Sequence, residues 1–330
     1  MTDSLKASAQ DLEFTRRIEI EPTCPFCFDG TVWKPLHFPS NDQAWEPGVL
    51  WQTIRLQNDV YGMALRNKGT VVSPLIELTV HGGSPLDGKV MEDIADEVRW
   101  RYDLDSREIS SFVRKFRTDR LLGPVIRKWR GTRPKSGYSL YEYLVITVML
   151  QNTVVRRSVQ MLQNLFETYG RLIKFDGKRL WSFWRPEDIH CAGEEELREL
   201  KVGYRARTLK RQAAQFVSGE IDPREWRKLK GDALLQKLDG IYGVGPQSAG
   251  YLCSEFFHDY DMMKSVSPWD AKIYSHLVFG HGDASPKRIL EFLDRNYSGF
   301  RALAIEYLLT DVSWRNKESG VGWLQKLIRL

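Results

Sequence analysis

The spacing of apolar residues changes near residue 88, and that change divides the chain in two. Before it, short alternating segments are separated by turn residues. Residues 14–20 alternate in part. Residues 49–56 and 60–65 flank Asn58-Asp59, which reads as a hairpin turn. Residues 66–69 form a second turn leading into 70–80, and Gly82-Gly83-Ser84-Pro85 closes the region. Strands joined by short turns pair antiparallel. After residue 88 the period is helical. Val90, Ile94 and Val98 share one face. Residues 139–150 are apolar on nearly all sides and are expected as a buried helix. Val155, Val159, Leu162, Phe166 and Tyr169 mark an amphipathic helix stopped by Gly170, and Leu209, Ala213 and Phe216 mark another. Further helices are expected at about 231–239, 247–258, 270–279 and 300–310. The expected fold is α+β: a tail at 1–11, a small antiparallel sheet at 12–87, and a mostly helical body at 88–330.

With 330 residues, 42% of them hydrophobic and 28% charged, the chain has the composition of a folded protein that can bury a core. No apolar run approaches the roughly 20 residues of a membrane helix, and the N-terminal stretch has no apolar segment of a secretion signal. Four cysteines exclude a disulfide scaffold. Cys24 and Cys27 have half the spacing of a zinc knuckle, but Cys191, Cys253 and His37 stand alone, so no metal is expected. The net charge of +5 is unevenly spread. Residues 111–230 hold 26 Lys/Arg against 13 Asp/Glu, whereas residues 1–110 hold 11 against 18. A basic centre in a mildly basic chain suits a polyanion, or a solvated basic face.

The segment 241–249, Ile-Tyr-Gly-Val-Gly-Pro-Gln-Ser-Ala, lies between two apolar-faced helices. Gly243 and Gly245 permit a tight turn with positive φ and a close approach of backbone to phosphate. Pro246 and Ser248 suit a helix start. An ordinary helical hairpin has the same features. The segment resembles the helix-hairpin-helix of the base-excision DNA glycosylase (HhH-GPD) superfamily, whose usual form is L-P-G-V-G-x-K-[ST]-A. Three more segments agree in order. Leu150-Gln-Asn-Thr153 is similar to the family's polar turn. Val202-Gly-Tyr-Arg-Ala-Arg207 is similar to a G-Y-R-A-R segment of the 8-oxoguanine branch. Ser267-Pro-Trp-Asp270 falls where the family has its catalytic aspartate. The N-terminal region, with 25–28 leading into 31–33, resembles the extra sheet of the 8-oxoguanine and alkylpurine (3-methyladenine) branches.

The resemblance implies a DNA N-glycosylase that flips a damaged or modified base from the duplex and hydrolyses its bond to the sugar. Asp270 is then the catalytic carboxylate; by position alone it is also an ordinary first-turn acid. Breaking that bond builds positive charge on the sugar, which a carboxylate stabilises. Gln247 occupies the position of the family's Schiff-base lysine and cannot do that chemistry, so the implied enzyme is monofunctional and leaves an abasic site. Lys264 or Lys272 could substitute, which would restore the lyase of an 8-oxoguanine-type enzyme. Gln151, Asn152 and Thr153 are implied DNA contacts, with Asn152 filling the hole of the flipped nucleotide. Tyr204 and Arg205 are implied to wedge beside the lesion and read the opposite base. Arg207, Tyr242, Gly243, Val244, Gly245 and Ser248 complete the implied DNA contacts. Trp269, next to Asp270, and Trp181 are candidates to stack on the base, although core packing is the commoner role of each taken singly. No iron–sulfur cluster is implied, since no cysteine follows Cys253. The expected cofactor is none beyond a monovalent cation at 241–245. The expected partner is double-stranded DNA carrying a damaged or modified base, bound by a monomer with no membrane contact, in the cytoplasm or nucleoid of a prokaryote or the nucleus of a eukaryote. The rival reading is a helix-hairpin-helix DNA-binding protein without catalysis.

Overall fold

The computed structural model describes residues 8–35, 38–134 and 136–328. His37 lies outside the described residues. The N-terminal sheet is antiparallel with strand order β2-β6-β5-β4-β3. Its strands are β2 (Phe14–Ile20), β3 (Gln43–Glu46), β4 (Val49–Leu56), β5 (Asp59–Asn67) and β6 (Ile76–Gly82), with one short strand, β1 (Gln10–Asp11), before them. Alternation sets the register: Leu50 faces Leu65, and Leu65 faces Leu78. These residues bury one sheet face against Met91, Ile94 and Val98 of the helix Gly88–Arg101. Asp87 caps that helix, accepting a hydrogen bond from the Val90 N–H at 2.8 Å.

Three expectations shift here. The β4–β5 loop is Gln57-Asn58, because Leu56 pairs with Asp59 and Gln57 takes the positive φ of 53°. Residues 70–75 are loop, and β6 starts only at Ile76. The segment 25–33, within the region read as β-rich, forms the helix Phe28–Val32, which buries Phe28 and Val32 four residues apart in the sheet's core. The sheet edge is β3.

Sequence reading missed a second sheet. Strands β7 (Arg171–Phe175) and β8 (Lys178–Ser182) form a hairpin through Asp176 and Gly177, both at positive φ. That is the two-residue turn that Asp-Gly favours. β1 joins it parallel to β7, so Gln10 and Asp11, expected in the tail, are held in a sheet. This second sheet covers the other face of the first through Trp51, Val60, Ala64, Ile173, Phe175 and Leu180. The contact is close at Gly62, where a Cβ would lie 2.4 Å from the Phe175 ring. Gly62→Val should therefore cost about 1–3 kcal/mol of stability by overpacking. Denaturant unfolding checks this, and Gly62→Val combined with Phe175→Ala should recover part of the loss.

In the helical body, Leu140–Leu150 is apolar all round because it serves two cores. Val145, Ile146 and Met149 pack with the helices Val155–Tyr169 and Arg205–Val217. Leu140 and Leu144 pack with Leu234, Leu238, Ile241 and Phe256. A third core joins residues 109–129 to the helices Pro268–Phe279, Pro286–Tyr297 and Arg301–Ser319. No described helix is long and apolar enough to cross a membrane.

Candidate active site

The hairpin runs from the helix Gly231–Asp239 through a turn to the helix Pro246–Tyr251. Pro246 occupies the first helical turn, where its missing N–H costs nothing. Of the two glycines, only Gly243 has positive φ, +80°, and its Cβ would meet Thr208 at 2.7 Å. Gly245 has φ of −98° and open space around it, so its freedom is one of access rather than dihedral. Val244 is half-buried and packs against the core of Leu238 and Ile241.

Side chains from two other segments complete this turn. Gln215 accepts from the Tyr242 N–H and donates to the Gly240 carbonyl, both at 2.9 Å. Gln212 donates to the Tyr242 carbonyl at 2.9 Å, and Gln151 to the Gly243 carbonyl at 3.3 Å. Arg211 lies over the Tyr242 ring at 4.3 Å. The polar turn 150–153, the Gly-Tyr-Arg-Ala-Arg segment and the hairpin thus meet in one place.

Within that meeting point Asn152 is exposed and left-handed, with φ of 48°, a conformation Asn tolerates better than most residues. Leu150, Val154 and Tyr204 are exposed apolar residues around it. Arg207 is exposed and Thr153 half-buried. Arg205 corrects its expectation. It is 5% exposed, its Nε donates to the Val148 carbonyl at 3.0 Å, and its guanidinium also holds the Gln151 carbonyl. It clamps the turn, and its fork is not free to read a base. Gln151 is likewise committed, to Gly243. Trp181 also departs from expectation. It lies in β8, donates its backbone N–H to Asn41 and stacks on Phe166, within a different core.

Asp270 sits in the first turn of the helix Pro268–Phe279 and is 7% exposed. Ser267 caps the helix, accepting from the Asp270 N–H at 3.0 Å while its hydroxyl donates to Asp270 Oδ2 at 2.5 Å. Gln247, from the hairpin helix, donates its Nε2 to the same oxygen at 3.2 Å. Ser265 donates to Gln247 Oε1 at 3.3 Å and so orients the amide. Tyr251 also bonds the Asp270 carboxylate, and burial followed by that carboxylate holds its hydroxyl well above the usual tyrosine range. Trp269 is exposed beside Asp270, and Ser248 is half-buried one residue after Gln247. Lys264 bonds Asp232 at the surface, and Lys272 is exposed. Sequence reading missed Ser265, Tyr251 and Tyr274. The four-residue step from Gln247 to Tyr251 was the available signal. Among the described residues no group of three or more His, Cys, Asp or Glu is placed to hold a metal, and the four cysteines are free.

The model of the HhH-GPD superfamily of base excision DNA repair proteins matches residues 145–298, which contain the turn, the hairpin and Asp270. That segment of the chain is similar to the superfamily. The DNA-3-methyladenine glycosylase of Bacillus subtilis (strain 168) is 25% identical over 174 residues, 51% of this chain and 55% of the relative. The chain thus spans about half the length of that curated relative. Among solved structures, the 3-methyladenine DNA glycosylase of Archaeoglobus fulgidus superposes with a TM-score of 0.70 at 16% identity, covering 92% of this chain and 99% of the other. MBOgg1 in complex with a low-affinity DNA ligand gives 0.67 at 20% identity, covering 92% and 96%. The apo 8-oxoguanine glycosylase/lyase of Clostridium acetobutylicum gives 0.66 at 17% identity, covering 91% and 99%. The sheet unit and the helical body are therefore one shared fold.

The geometry at the two glycines separates their roles. Gly243→Ala should cost about 1–2 kcal/mol, since it forces an L-residue into a left-handed turn against Thr208. Gly245→Ala should change stability by less than about 0.5 kcal/mol. Thermal or denaturant unfolding of the two variants checks the contrast.

Proposed function

We propose that this chain is a monofunctional DNA N-glycosylase of base excision repair. The contact between Gln247 Nε2 and Asp270 Oδ2 carries the reading. It puts a neutral amide, held by Ser265, against a nearly buried carboxylate at the end of a glycine hairpin. In the proposed reaction the exposed glycines let a phosphate approach the hairpin backbone, and Arg207 adds positive charge nearby. Asn152 enters the stack as the damaged nucleotide leaves it, with Leu150, Val154 and Tyr204 packing beside the gap. Asp270 then faces the sugar, stabilises the positive charge that grows as the base departs, and orients the attacking water.

The side chains near Asp270 support hydrolysis rather than amine attack. A Schiff base needs an unprotonated amine. Gln247 has none, and Lys264 is engaged at the surface. Lys34 reaches the interior, where burial works to lower its pKa, but the Glu306 and Glu255 carboxylates outweigh burial and raise it above the usual lysine range. It stays an ammonium, which is no nucleophile. A monovalent cation at 241–245 would compete for carbonyls that Gln212 and Gln151 already hold.

Base release from duplexes each carrying one lesion, with and without hot alkali, tests the proposal. Strand cleavage should appear only after alkali. Asp270→Asn should bind the duplex as before and lose release by about 10²-fold or more. Borohydride should trap no adduct with the natural chain, while Gln247→Lys should create one. Cleavage without alkali, or an adduct in the natural chain, would exclude the monofunctional reading. Binding without release from any duplex would favour the non-catalytic module.

A further inference from the structure

Two helices bring side chains to Asp270 in two layers. Gln247 and Tyr251 lie one turn apart on the helix Pro246–Tyr251, and Asp270 and Tyr274 one turn apart on the helix Pro268–Phe279. A four-residue step returns to the same helical face, so each helix offers a pair. In the outer layer Gln247 Nε2 donates to Asp270 Oδ2 at 3.2 Å, and the Ser267 hydroxyl donates to the same oxygen at 2.5 Å. In the inner layer Tyr251 and Tyr274 share a hydrogen bond, and Tyr251 also bonds the Asp270 carboxylate and the Gln247 amide. The directions follow from the groups. An ionised carboxylate has no proton to give, so Tyr251 donates to it. A hydroxyl has one proton, so Tyr251 then accepts from Tyr274. The donors run one way, from Tyr274 to Tyr251 to Asp270. Burial, then the Asp270 carboxylate, holds the Tyr251 hydroxyl above the usual range, and burial, then Tyr251 and Asp270, does the same for Tyr274. Both therefore keep the protons they donate. Tyr274 is 3% exposed and packs in the core shared with the helix Arg301–Ser319, out of reach of DNA.

We propose that Tyr251 and Tyr274 are positioning residues for hydrolysis: acting in series, they keep the Asp270 carboxylate ionised and fixed in orientation. This rests on the glycosylase reading above. Only the ionised carboxylate offsets positive charge on the sugar. Burial drives a carboxyl group toward its neutral form, and hydrogen bonds to the charged form oppose that drive. Ser267 and Gln247 supply two such bonds, both to Oδ2. Tyr251 supplies a third, and Tyr274 strengthens it, because a hydroxyl that accepts a hydrogen bond donates a stronger one. The titratable groups facing Asp270 are Tyr251 from the hairpin helix and Tyr274 from its own helix. Beyond Tyr274 lies Glu306, from Arg301–Ser319, paired with Lys34 from the sheet unit, and Lys264 is held at the surface by Asp232. A phenol suits this place, since it donates without bringing a charge that would pair with the carboxylate.

Tyr251→Phe and Tyr274→Phe each remove one hydroxyl and keep the ring. The probes are duplexes carrying a single 7-methylguanine, 8-oxoguanine or hypoxanthine, and the one that the natural chain releases fastest is followed in single turnover across a range of pH. Tyr251→Phe should slow release about tenfold or more and Tyr274→Phe about threefold or more. In both, the acid limb of the profile should move upward by about half a unit or more, because Asp270 then holds its proton to higher pH. The loss is thus greatest at low pH and shrinks as pH rises. Affinity for a duplex holding a tetrahydrofuran abasic-site analogue should not change. Because Tyr274 acts through Tyr251, the double variant should be no slower than Tyr251→Phe alone. Losses that multiply in the double variant, or an acid limb that stays in place in both single variants, would overturn the assignment. A lower melting temperature with unchanged release would reduce the two tyrosines to packing. If the natural chain released none of the three bases, the glycosylase reading and this positioning would fall together, whereas unchanged release in the two variants removes the positioning alone.

Discussion

Three glutamine amides and one guanidinium complete a backbone that cannot complete itself. The tight turn at 240–243 points carbonyls and an N–H away from both hairpin helices. Gln215, Gln212 and Gln151 satisfy them, and Arg205 does the same for the carbonyls that end the helix Leu140–Leu150. A buried polar group left without a partner costs about 1–3 kcal/mol. The two sides of this junction belong to different hydrophobic cores, one around Phe166 and one around Leu238. Apolar packing alone has no direction and would not fix their register. The polar bridges do, and Thr208 against Gly243 fixes the approach. The exposed Asn152 and the hairpin surface therefore keep a set separation.

The position of Asp270 follows from the same economy of short connections. Ser267 both starts the helix Pro268–Phe279 and bonds the Asp270 carboxylate, so one residue sets the helix end and the carboxylate orientation. Gln247 reaches it from the next element. An amide at that position orients the carboxylate without cancelling its charge. An ammonium would have paired with it. In the proposed reaction the glutamine offers no amine nucleophile beside Asp270.

The helical body was legible because its amphipathic periods are long and its stops are strong. The helix Gly231–Asp239 falls at its expected bounds, and the spacing around residues 241–249 located the hairpin before any coordinates. The β7–β8 hairpin was missed because two five-residue strands lie inside a helical stretch, although Asp176-Gly177 was a usable sign. The helix Phe28–Val32 inside the β-rich region went unread because five residues are too few to separate helix from strand by period. Arg205 and Gln151 were assigned to DNA contact by resemblance. A sequence shows that Arg can donate, but not that two carbonyls ending another helix stand within its reach. The residues in and behind the site divide along the same line. Gln247 was visible from the hairpin pattern, whereas Lys34, which no motif marks, meets Glu306 from the other end of the chain only in the folded molecule.

The N-terminal sheet unit matters to the site through that lysine. Lys34 follows the helix Phe28–Val32, and its partner Glu306 lies on Arg301–Ser319, at the opposite end of the chain. Removing one member of a buried ion pair costs about 3–5 kcal/mol, because the other is left charged and dry. The helical body therefore carries an acidic interior that the sheet unit must neutralise in part. Charge is arranged oppositely outside and inside: residues 111–230 present a surplus of Lys and Arg, while the group around Tyr251 and Tyr274 holds a surplus of carboxylate. A polyanionic backbone is drawn to the first and repelled by the second. The sheet unit, by placing one ammonium beside Glu306, moderates the charge of that interior.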